Sequence, residues 1–349
     1  MLIPHLGGGG AEQVTALLAR GLSREKYELH LGLVTQADAG TFDLPPWVTI
    51  HALAAPRVRS GAFRLLKLVR RLKPDLILSG MAHLNFLVLL LHPFFPPVTR
   101  ILVRQNSMVS SDLAFAGLPV YTCLLYRMLY RHADRVICQS NAMAEDLARQ
   151  LGIEDDLIAV LPNPVDLDEI RAAANDPKQW AGPGPHLLAV GRLSPEKGFD
   201  LLLRAFATVR QNFPHADLVI AGAGLEETSL QAQCRELGLA AAVRFAGYVR
   251  RPYAFFPGAT LFVLPSRHEG MPNALLEAAA GGLPLVALPA SQGVVDLLRN
   301  QPGVWLAPEG TAPALATSLL AALQTLRPGQ RFTHSFSARC EKDAPARNG

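Results

Sequence analysis

Two carboxylates, Glu269 and Glu277, frame a short turn in the segment SRHEGMPNALLEAAAGGLP, with seven residues between them. Pro272 suits the first position of a helix, because its missing N–H would have no partner there, and the glycines at 281–282 can end the helix without steric cost. Glu269 is therefore predicted in the loop before a short helix, and Glu277 one to two turns inside it. The helix start favours an anion, and Glu277 can accept hydroxyl hydrogen bonds. The segment predicts a phosphate site with a sugar on either side.

A glutamate on a short helix is more often a solvated surface residue. Glu277, however, is flanked by Leu275, Leu276 and the alanines at 278–280. A helix this apolar is expected to pack on most sides. We therefore expect the Glu277 carboxylate to face something other than bulk water.

A pair of cations occupies the segment LLAVGRLSPEKGFDLLLRAF. Gly191 is predicted to end a strand, Ser194 to cap the next helix and Pro195 to take its first position. Arg192 and Lys197 flank this turn. Two ordinary surface cations are the alternative, but their joint placement at a strand end favours a clamp for a diphosphate.

Glycine-rich turns follow other predicted strands. The run at 7–10 opens a helix, where Gly9 and Gly10 would let backbone N–H groups approach a phosphate; a flexible turn is the alternative. Gly222 follows the strand LVIA, and Tyr248 follows VRFAG. Tyr248 is predicted either to border a nucleobase or to pack half-buried on the next helix.

Composition limits the class of protein. The chain has 349 residues, enough for two domains, and a net charge of +4, which does not by itself indicate nucleic acid. Its four cysteines form no C-x-x-C pair, so neither a disulfide framework nor a cysteine zinc site is expected, and a reducing compartment is inferred. No signal peptide is visible, and the longest apolar run, 84–95, is about half the ~20 residues of a spanning helix. We expect a soluble or peripheral protein.

Short apolar runs alternate with helical patterns along the chain, which predicts an α/β fold with parallel sheets covered on both faces. Strands are predicted at 29–35, 76–78, 100–103, 135–138, 187–190, 218–221, 243–245, 261–264 and 285–288, with a first strand at about 1–6. Helices are predicted at 12–22, 63–72, 199–212 and 225–237. The Pro- and Gly-rich segment 173–186 is read as a linker between two doubly wound domains, 1–172 and 187–326, followed by a polar tail, 327–349. Ligands of such sheets bind beyond the carboxyl ends of the strands, so the site is expected in a deep cleft between the domains.

These motifs resemble those of retaining GT-B glycosyltransferases of family 4, the glycosyl transferases group 1, of the bacterial surface-polysaccharide type. The matching blocks are GGAE at 9–12, LPNPVD at 161–166, GRLSPEKG at 191–198, GAG at 222–224 and SRHEGMPNALLE at 266–277. The resemblance covers about residues 3–325.

The resemblance implies a nucleotide diphosphate sugar as donor, with UDP as the expected nucleotide. Arg192 and Lys197 would bind the diphosphate, Glu277 the ribose, and Glu269 the donor sugar, and these cations and Glu269 would form the catalytic set. The donor-binding set implied is Gly9, Gly10, Arg192, Lys197, Gly222, Tyr248, Glu269, Gly270, Met271, Pro272, Asn273 and Glu277.

In the family's same-face mechanism the leaving phosphate can take the acceptor proton, so no enzyme nucleophile, cofactor or metal is expected. Asp166 and Asp168 have the spelling of a metal-binding D-x-D motif, but they fall in the interdomain segment and are not expected to bind metal.

Many relatives carry a histidine where this chain has Arg104-Gln105-Asn106, so no catalytic histidine can be carried over to that position. His83 and His268 are the alternative candidates, although a structural role is favoured for each. The abrupt first strand and the atypical tail leave activity open.

The segment 57–73 carries seven basic residues and no acidic one. It predicts either a basic amphipathic helix on an anionic membrane surface or a sheet-covering helix with a solvated cationic face. The apolar run 84–95 adds weight to the membrane interpretation and leaves the two alternatives evenly balanced. The expected acceptor is a glycan or a polyprenyl-linked sugar, and an acceptor on a lipid carrier would explain both segments. The expected location is cytoplasmic, at the inner face of the cytoplasmic membrane if the protein is peripheral.

Two other functions stay open. One is a non-hydrolysing nucleotide-sugar epimerase of the same architecture, although no set of acid/base carboxylates for elimination is visible. The other is a catalytically inactive nucleotide-sugar-binding relative.

Overall fold

The computed structural model describes residues 1–35, 42–110, 120–173 and 175–336, with side chains except at 120–123. The chain divides into two compact units: the first contains Met1–Pro164 and the second begins at Val165. Each unit has its own sheet, with parallel pairing between all neighbouring strands. The predicted pair of doubly wound α/β domains is confirmed.

The first unit is built on seven strands in the order β3-β2-β1-β4-β5-β6-β7. The strands are β1 Leu2–Ile3, β2 His30–Thr35, β3 Thr49–Ala55, β4 Leu76–Gly80, β5 Arg100–Arg104, β6 Arg135–Cys138 and β7 Ile158–Val160. The helices are α1 Gly10–Gly21, α2 Ala62–Leu72, α3 Ala82–Leu91, α4 Val120–Tyr130 and α5 Asn141–Leu151. One core joins α2, α3 and α5 to the sheet, and a smaller one lies beside α1.

The second unit has six strands in the order β10-β9-β8-β11-β12-β13. The strands are β8 His186–Val190, β9 Asp217–Ala221, β10 Val243–Phe245, β11 Leu261–Leu264, β12 Leu285–Ala287 and β13 Val304–Leu306. The helices are α6 Leu167–Ala173, α7 Phe199–Asn212, α8 Glu227–Glu236, α9 Asn273–Ala280, α10 Gln292–Leu298 and α11 Ala312–Thr325. The central strands are buried and continuously apolar, as strands covered on both faces must be.

The first unit ends at Pro164, earlier than the predicted boundary at 172, because α6 packs with the second unit. Ile170 and Ala173 are buried in a core that also contains Tyr253 and Leu275. Trp180, in the predicted linker, donates a hydrogen bond from Nε1 to the carbonyl of Phe255 over 3.1 Å. The segment 175–186 thus lies along the second unit.

Three strands are not predicted by the sequence pattern: β3, β7 and β13. β7 and β13 have only three residues each, too short for a periodicity to appear. β3 lies at the edge of the sheet, where Ala55 is its one buried residue and exposed and partly buried residues alternate in the rest of the strand. The first strand is also shorter than predicted, since β1 covers only Leu2–Ile3.

Part of the predicted polar tail is also packed. His334 is fully buried and its Nε2 lies 3.0 Å from the carbonyl of Leu283, while Phe336 joins the core of the second unit. Arg331 donates from Nη2 to the carbonyl of Phe256 over 2.8 Å. Residues 337–349 lie outside the described part of the chain.

Candidate active site

Four loops at the carboxyl edge of the second sheet, after β8, β9, β10 and β11, carry predicted donor-binding residues. The loop after β8 is tied to the loop after β9, because Leu193 donates its N–H to the carbonyl of Ala223 over 3.0 Å and accepts from the N–H of Glu226 at the same distance. Gly222 donates its N–H to Gly247, in the loop after β10, over 2.7 Å. A Cβ on Gly224 would lie 2.2 Å from the carbonyl oxygen of Leu193, so this contact excludes a side chain.

The turn after β8 has the predicted start but a different form. Ser194 is extended and precedes a 3₁₀ turn, Pro195–Lys197, with proline in its first position. Gly198 then takes a left-handed conformation (φ +64°) and directly precedes α7.

Arg192 is exposed and Lys197 is partly buried. Both cations act on the carboxylate of Glu196: burial opposes its ionisation, but a hydrogen bond from Ser194 and the charges of Lys197 and Arg192 together lower the pKa of Glu196. Arg192 and Lys197, the residues predicted to bind the diphosphate, are therefore both close enough to influence the same carboxylate.

The loop after β11 carries Glu269, and it is locked to the loop after β8. Arg267 forms a bidentate pair with Asp200, with Nη1 and Nη2 each 2.7 Å from a carboxylate oxygen. The same residue donates its N–H to the carbonyl of Glu196 over 2.8 Å and Nη1 to the carbonyl of Pro195 over 2.8 Å. Such forked pairs fix orientation as well as distance.

Lys197 and Glu269 meet at the centre of this junction. Nζ of Lys197 lies 2.7 Å from Oε1 of Glu269, which also accepts a hydrogen bond from Oγ of Ser266 over 2.7 Å. The Glu269 side chain is only 9% exposed. The structure thus brings together two residues that the sequence assigned to different parts of the donor, and it adds Ser266, which sequence reasoning missed.

Glu277 lies on α9 and is 7% exposed, which confirms the expectation that its carboxylate faces away from bulk water. It is the fifth residue of the helix, as predicted. Pro272, however, is the residue before the helix rather than its first residue: its backbone is extended and Asn273 begins α9. Gly270, Met271 and Asn273 are all partly exposed beside it.

A buried tyrosine, Tyr253, lies within the electrostatic influence of Glu277. Tyr253 is nearly buried, and burial followed by the charges of Glu277 and Glu169 raises the pKa of its phenol. Arg251 donates from Nε to Glu169 over 3.0 Å. Tyr253 therefore stays neutral between two carboxylates, a contact that no local sequence motif signals.

Tyr248 is 53% exposed in the loop after β10, next to Gly247. This exposure agrees with both predicted roles, and its contact with a base stays a prediction.

In the first unit, Gly9 precedes α1 and lies against a buried carboxylate. A Cβ on Gly9 would fall 2.5 Å from Oε2 of Glu12, and Glu12 pairs with Nδ1 of His5 at 3.3 Å. Gly10 is the first residue of α1. His83 lies near His5: burial and then the charge of His5 lower its pKa. The roles of Gly9 and Gly10 toward a donor stay predictions.

His268 follows Arg267 in the loop after β11. Burial and then the Arg267 charge lower its pKa, which outweighs the opposite influence of Glu269 and Glu196. The balance of these influences favours the neutral imidazole over the charged one.

Asp166 has a structural task. Its Oδ1 accepts the N–H of Glu169 over 3.0 Å and so caps α6. Asp168 is exposed and lies 3.9 Å from Nη1 of Arg171. Within the described ranges, no three or more His, Cys, Asp or Glu side chains are grouped as metal ligands would be. Nor does any described helix combine the length and apolar character needed to cross a bilayer.

Sequence comparison supplies the family. The family described as Glycosyltransferase Family 4 matches residues 8–169, and the one described as Glycosyl transferases group 1 matches residues 184–325. The chain therefore belongs to the GT-B glycosyltransferases of family 4.

Individual relatives agree with this assignment. The chain is 29% identical to the N-acetylgalactosamine-N,N'-diacetylbacillosaminyl-diphospho-undecaprenol 4-alpha-N-acetylgalactosaminyltransferase of Campylobacter jejuni, over 86% of this chain and 83% of that protein. It is 26% identical to an uncharacterised glycosyltransferase of Methanocaldococcus jannaschii, over 69% of this chain and only 62% of that protein. Anabaena HepE, solved with UDP and glucose, has the same fold, with a TM-score of 0.76, 18% identity and coverage of 98% and 94%.

Proposed function

We propose that this glycosyltransferase is a retaining enzyme that moves a hexose or N-acetylhexosamine from a UDP-sugar to a glycan or lipid-linked acceptor in cell-surface polysaccharide synthesis. The observation that carries the proposal is the junction of Lys197, Glu269 and Ser266 at the carboxyl edge of the second sheet, with Glu277 buried on the adjoining helix. Carboxylates and a cation at this edge suit an anionic, hydroxyl-rich ligand.

The donor roles follow from charge. Arg192 and Lys197 neutralise the diphosphate, Glu277 accepts hydroxyl hydrogen bonds from the ribose, and Glu269 accepts them from the sugar. The 2.7 Å contact between Lys197 and Glu269 would place the sugar and the phosphate on neighbouring groups, as a diphosphate sugar requires.

Catalysis then depends on charge stabilisation. Cleavage of the anomeric C–O bond leaves negative charge on the diphosphate and positive charge on the sugar. The cations stabilise the former, and the carboxylate of Glu269 lies on the side of the latter. The acceptor hydroxyl attacks on the same face, and the leaving phosphate takes its proton, without a metal ion.

The acceptor proposal rests on the first unit and on the C. jejuni relative, whose name specifies a diphospho-undecaprenol acceptor. Along α2, Phe63 is 76% exposed and Lys67 and Arg71 are also exposed. Phe94, after α3, is exposed as well, and its carbonyl accepts from Nε of Arg70 over 3.1 Å. Exposed apolar and basic side chains side by side suit an anionic lipid surface.

The structure changes the interpretation of two segments, the basic segment 57–73 and the apolar run 84–95. Arg64 and Arg70 are not simply solvated, because both donate to backbone carbonyls. The apolar run at 84–95 is mostly core: Leu84, Val88 and Leu89 are buried, and Leu90 is exposed. Peripheral attachment at the cytoplasmic face of the membrane is therefore proposed from α2 and the chain just after α3.

The transfer itself is tested by mass spectrometry of the purified chain with a panel of nucleotide sugars, with and without polyprenyl-diphosphate-linked sugars, and with EDTA in a parallel reaction. An acceptor-dependent product that survives EDTA and keeps the anomeric configuration of the donor supports the proposal. An isomerised donor formed without acceptor would instead identify an epimerase, and donor binding without turnover an inactive relative.

A further inference from the structure

Arg104 carries a buried guanidinium whose hydrogen-bond partners are incomplete. It ends β5 and is 5% exposed. Nη2 donates to Oδ1 of Asn163, in the loop after β7, whereas Nη1 is buried and meets no acceptor among the described residues. Burial lowers the pKa of Arg104 to about 10, so the group is still a cation at neutral pH.

Within the described residues, this cation pairs with no carboxylate. Burial and then the charge of Asp146 raise the pKa of the nearby Cys138 thiol, whereas the charge of Arg104 lowers it. The carboxylate of Asp146 nevertheless accepts the backbone N–H of Ser110, over 3.0 Å. A buried charge that lacks an opposite charge is strongly disfavoured, and a buried donor without an acceptor calls for a ligand, an ion or water.

The backbone around Arg104 is held by other buried polar groups. Asn85 donates from Nδ2 to the carbonyl of Arg104 over 3.0 Å and to Oη of Tyr130 over 3.1 Å. Tyr130 donates to Oε1 of Gln105 over 3.0 Å. The network therefore fixes the end of β5 beneath the guanidinium.

The network also reaches the surface. Gln139 donates from Nε2 to the carbonyl of Gln105 over 2.5 Å and to Oδ1 of Asn106 over 3.2 Å, and Asn106 is partly exposed. Two buried oxygens, Oδ1 of Asn85 and Oε1 of Gln139, have no donor among the described residues. These oxygens can accept hydrogen bonds from hydroxyl groups or water. An anion without hydroxyl groups has no donor to offer them.

We propose that Arg104 forms an oxyanion site in the first unit, which binds a phosphate or carboxylate group of the acceptor. Arg104 lies at the carboxyl end of a parallel strand, between β4 and β6, where doubly wound sheets bind ligands. Guanidinium is the side chain best matched to both oxyanions. The acceptor part of the inference rests on the proposed function, since only a transferase needs an acceptor.

The test is calorimetric titration of the full chain with inorganic phosphate and, separately, with glucuronate. The host is the Arg192→Ala/Lys197→Ala variant, so that the predicted donor clamp cannot bind the anion. Arg104→Gln is compared with Arg100→Gln, which removes an exposed arginine from the other end of the same strand. At least tenfold weaker binding is expected for Arg104→Gln, and no change for Arg100→Gln.

Thermal unfolding in anion-poor buffer separates binding from structure. Removing an unpaired buried charge should leave the Tm of Arg104→Gln equal to or above that of the host, while added anion should raise only the host's Tm. A lower Tm in every buffer with unchanged anion affinity would show a structural role and overturn the proposal. If Arg104→Gln does not fold, Arg104→Lys is used instead, because it keeps the charge but cannot bind an oxyanion through two N–H groups. An anion affinity of Arg104→Lys equal to that of the host would also overturn the proposal.

The two titrants distinguish the sources of the oxyanion. If only phosphate binds in an Arg104-dependent way, the acceptor carries a phosphate group. If only glucuronate does, the acceptor is an acidic sugar. Arg104-dependent binding of both anions also supports the site. Saturable binding of neither anion refutes it. Failure of the wild-type chain to bind UDP would refute the proposed function instead. The Arg104 site would still be judged separately, by the titrations with phosphate and glucuronate.

Discussion

Lys197 and Glu269 are 72 residues apart in the chain, and their side chains form an ion pair of 2.7 Å between Nζ and Oε1. Arg267 makes the contact possible, because its pair with Asp200 binds the loop after β11 to the turn that carries Lys197. The predicted phosphate contact and the predicted sugar contact are therefore one connected group.

Replacing Lys197 with alanine should weaken UDP binding about tenfold to a hundredfold, since a hydrogen bond to a charged group contributes about 1.5–3 kcal/mol. Uridine, which has no phosphate, should bind the variant as it binds the wild type. Isothermal titration with both ligands makes the measurement. Lys178→Ala, at an exposed lysine of the same unit, is the control. Equal losses for uridine and UDP would contradict the assignment of Lys197 to the diphosphate.

Glu277→Gln keeps the volume of the side chain and removes its charge. Because a charged acceptor contributes about 1–1.5 kcal/mol more than a neutral one, UDP affinity should fall about tenfold. The ribose contact is tested with 2'-deoxy-UDP: the wild type should prefer UDP clearly, and the variant should lose most of that preference. Glu236→Gln, at an exposed glutamate, should behave as the wild type. An undiminished preference in Glu277→Gln would remove the ribose role.

Gly198→Ala should destabilise the second unit by about 3 kcal/mol or more. The residue is left-handed (φ +64°), and a Cβ would lie 2.0 Å from the carbonyl oxygen of Pro265. Gly238 is also left-handed (φ +67°) but has open space around it, so Gly238→Ala should cost only about 1–2 kcal/mol for the backbone conformation. Urea unfolding followed by tryptophan fluorescence compares the two. Equal losses would mean that the close approach of the two loops is unimportant.

The Asp200–Arg267 pair should make stability depend on pH. Burial opposes ionisation of Asp200, but the hydrogen bonds and charge of Arg267 outweigh it, so the pKa of Asp200 is lowered in the folded chain. The stabilisation is therefore fully present above about pH 4, the ordinary carboxyl range, and is lost as the pH falls through the lowered folded-state pKa.

Asp200→Asn is expected to be less stable than the wild type at pH 7 by about 1 kcal/mol, and the difference should disappear in strong acid. Denaturant midpoints between pH 7 and pH 2.5 give the comparison. Asp296→Asn, in an exposed pair 3.5 Å from Arg299, should show little difference at either end. A gap between wild type and Asp200→Asn that persists in acid would exclude the pair as its source.

Charge reversal on α2 should weaken attachment to anionic membranes. Lys67→Glu/Arg71→Glu changes two exposed cations, each contributing about 1 kcal/mol near such a surface, so binding should fall more than tenfold. Flotation with vesicles containing anionic lipid measures it, and Arg204→Glu/Arg235→Glu on the second unit is the matched control. Equal flotation of all three proteins, or none for the wild type, would reject the membrane surface.

The sequence alone determined the class of the fold and the position of each donor motif relative to a strand end. Those features are local: Gly191 follows an apolar strand, and Glu277 sits in an apolar helix after a proline. Local propensity and patterning therefore predict them. The same signals are weak in strands of three residues, which is why β7 and β13 were missed, and they do not show on which unit α6 packs.

Only the tertiary structure decided which of these groups touch. The Lys197–Glu269 pair, the fork of Arg267 on Asp200 and the charge of Glu277 acting on Tyr253 all link residues that are distant in the chain. The burial of Arg104 is likewise invisible in the segment ILVRQNS, since Asn163, which binds its side chain, and Asn85, which binds its carbonyl, are distant in the chain. A sequence states what each residue can do chemically; the packing of separate loops fixes the distance between residues and the charge that each one meets.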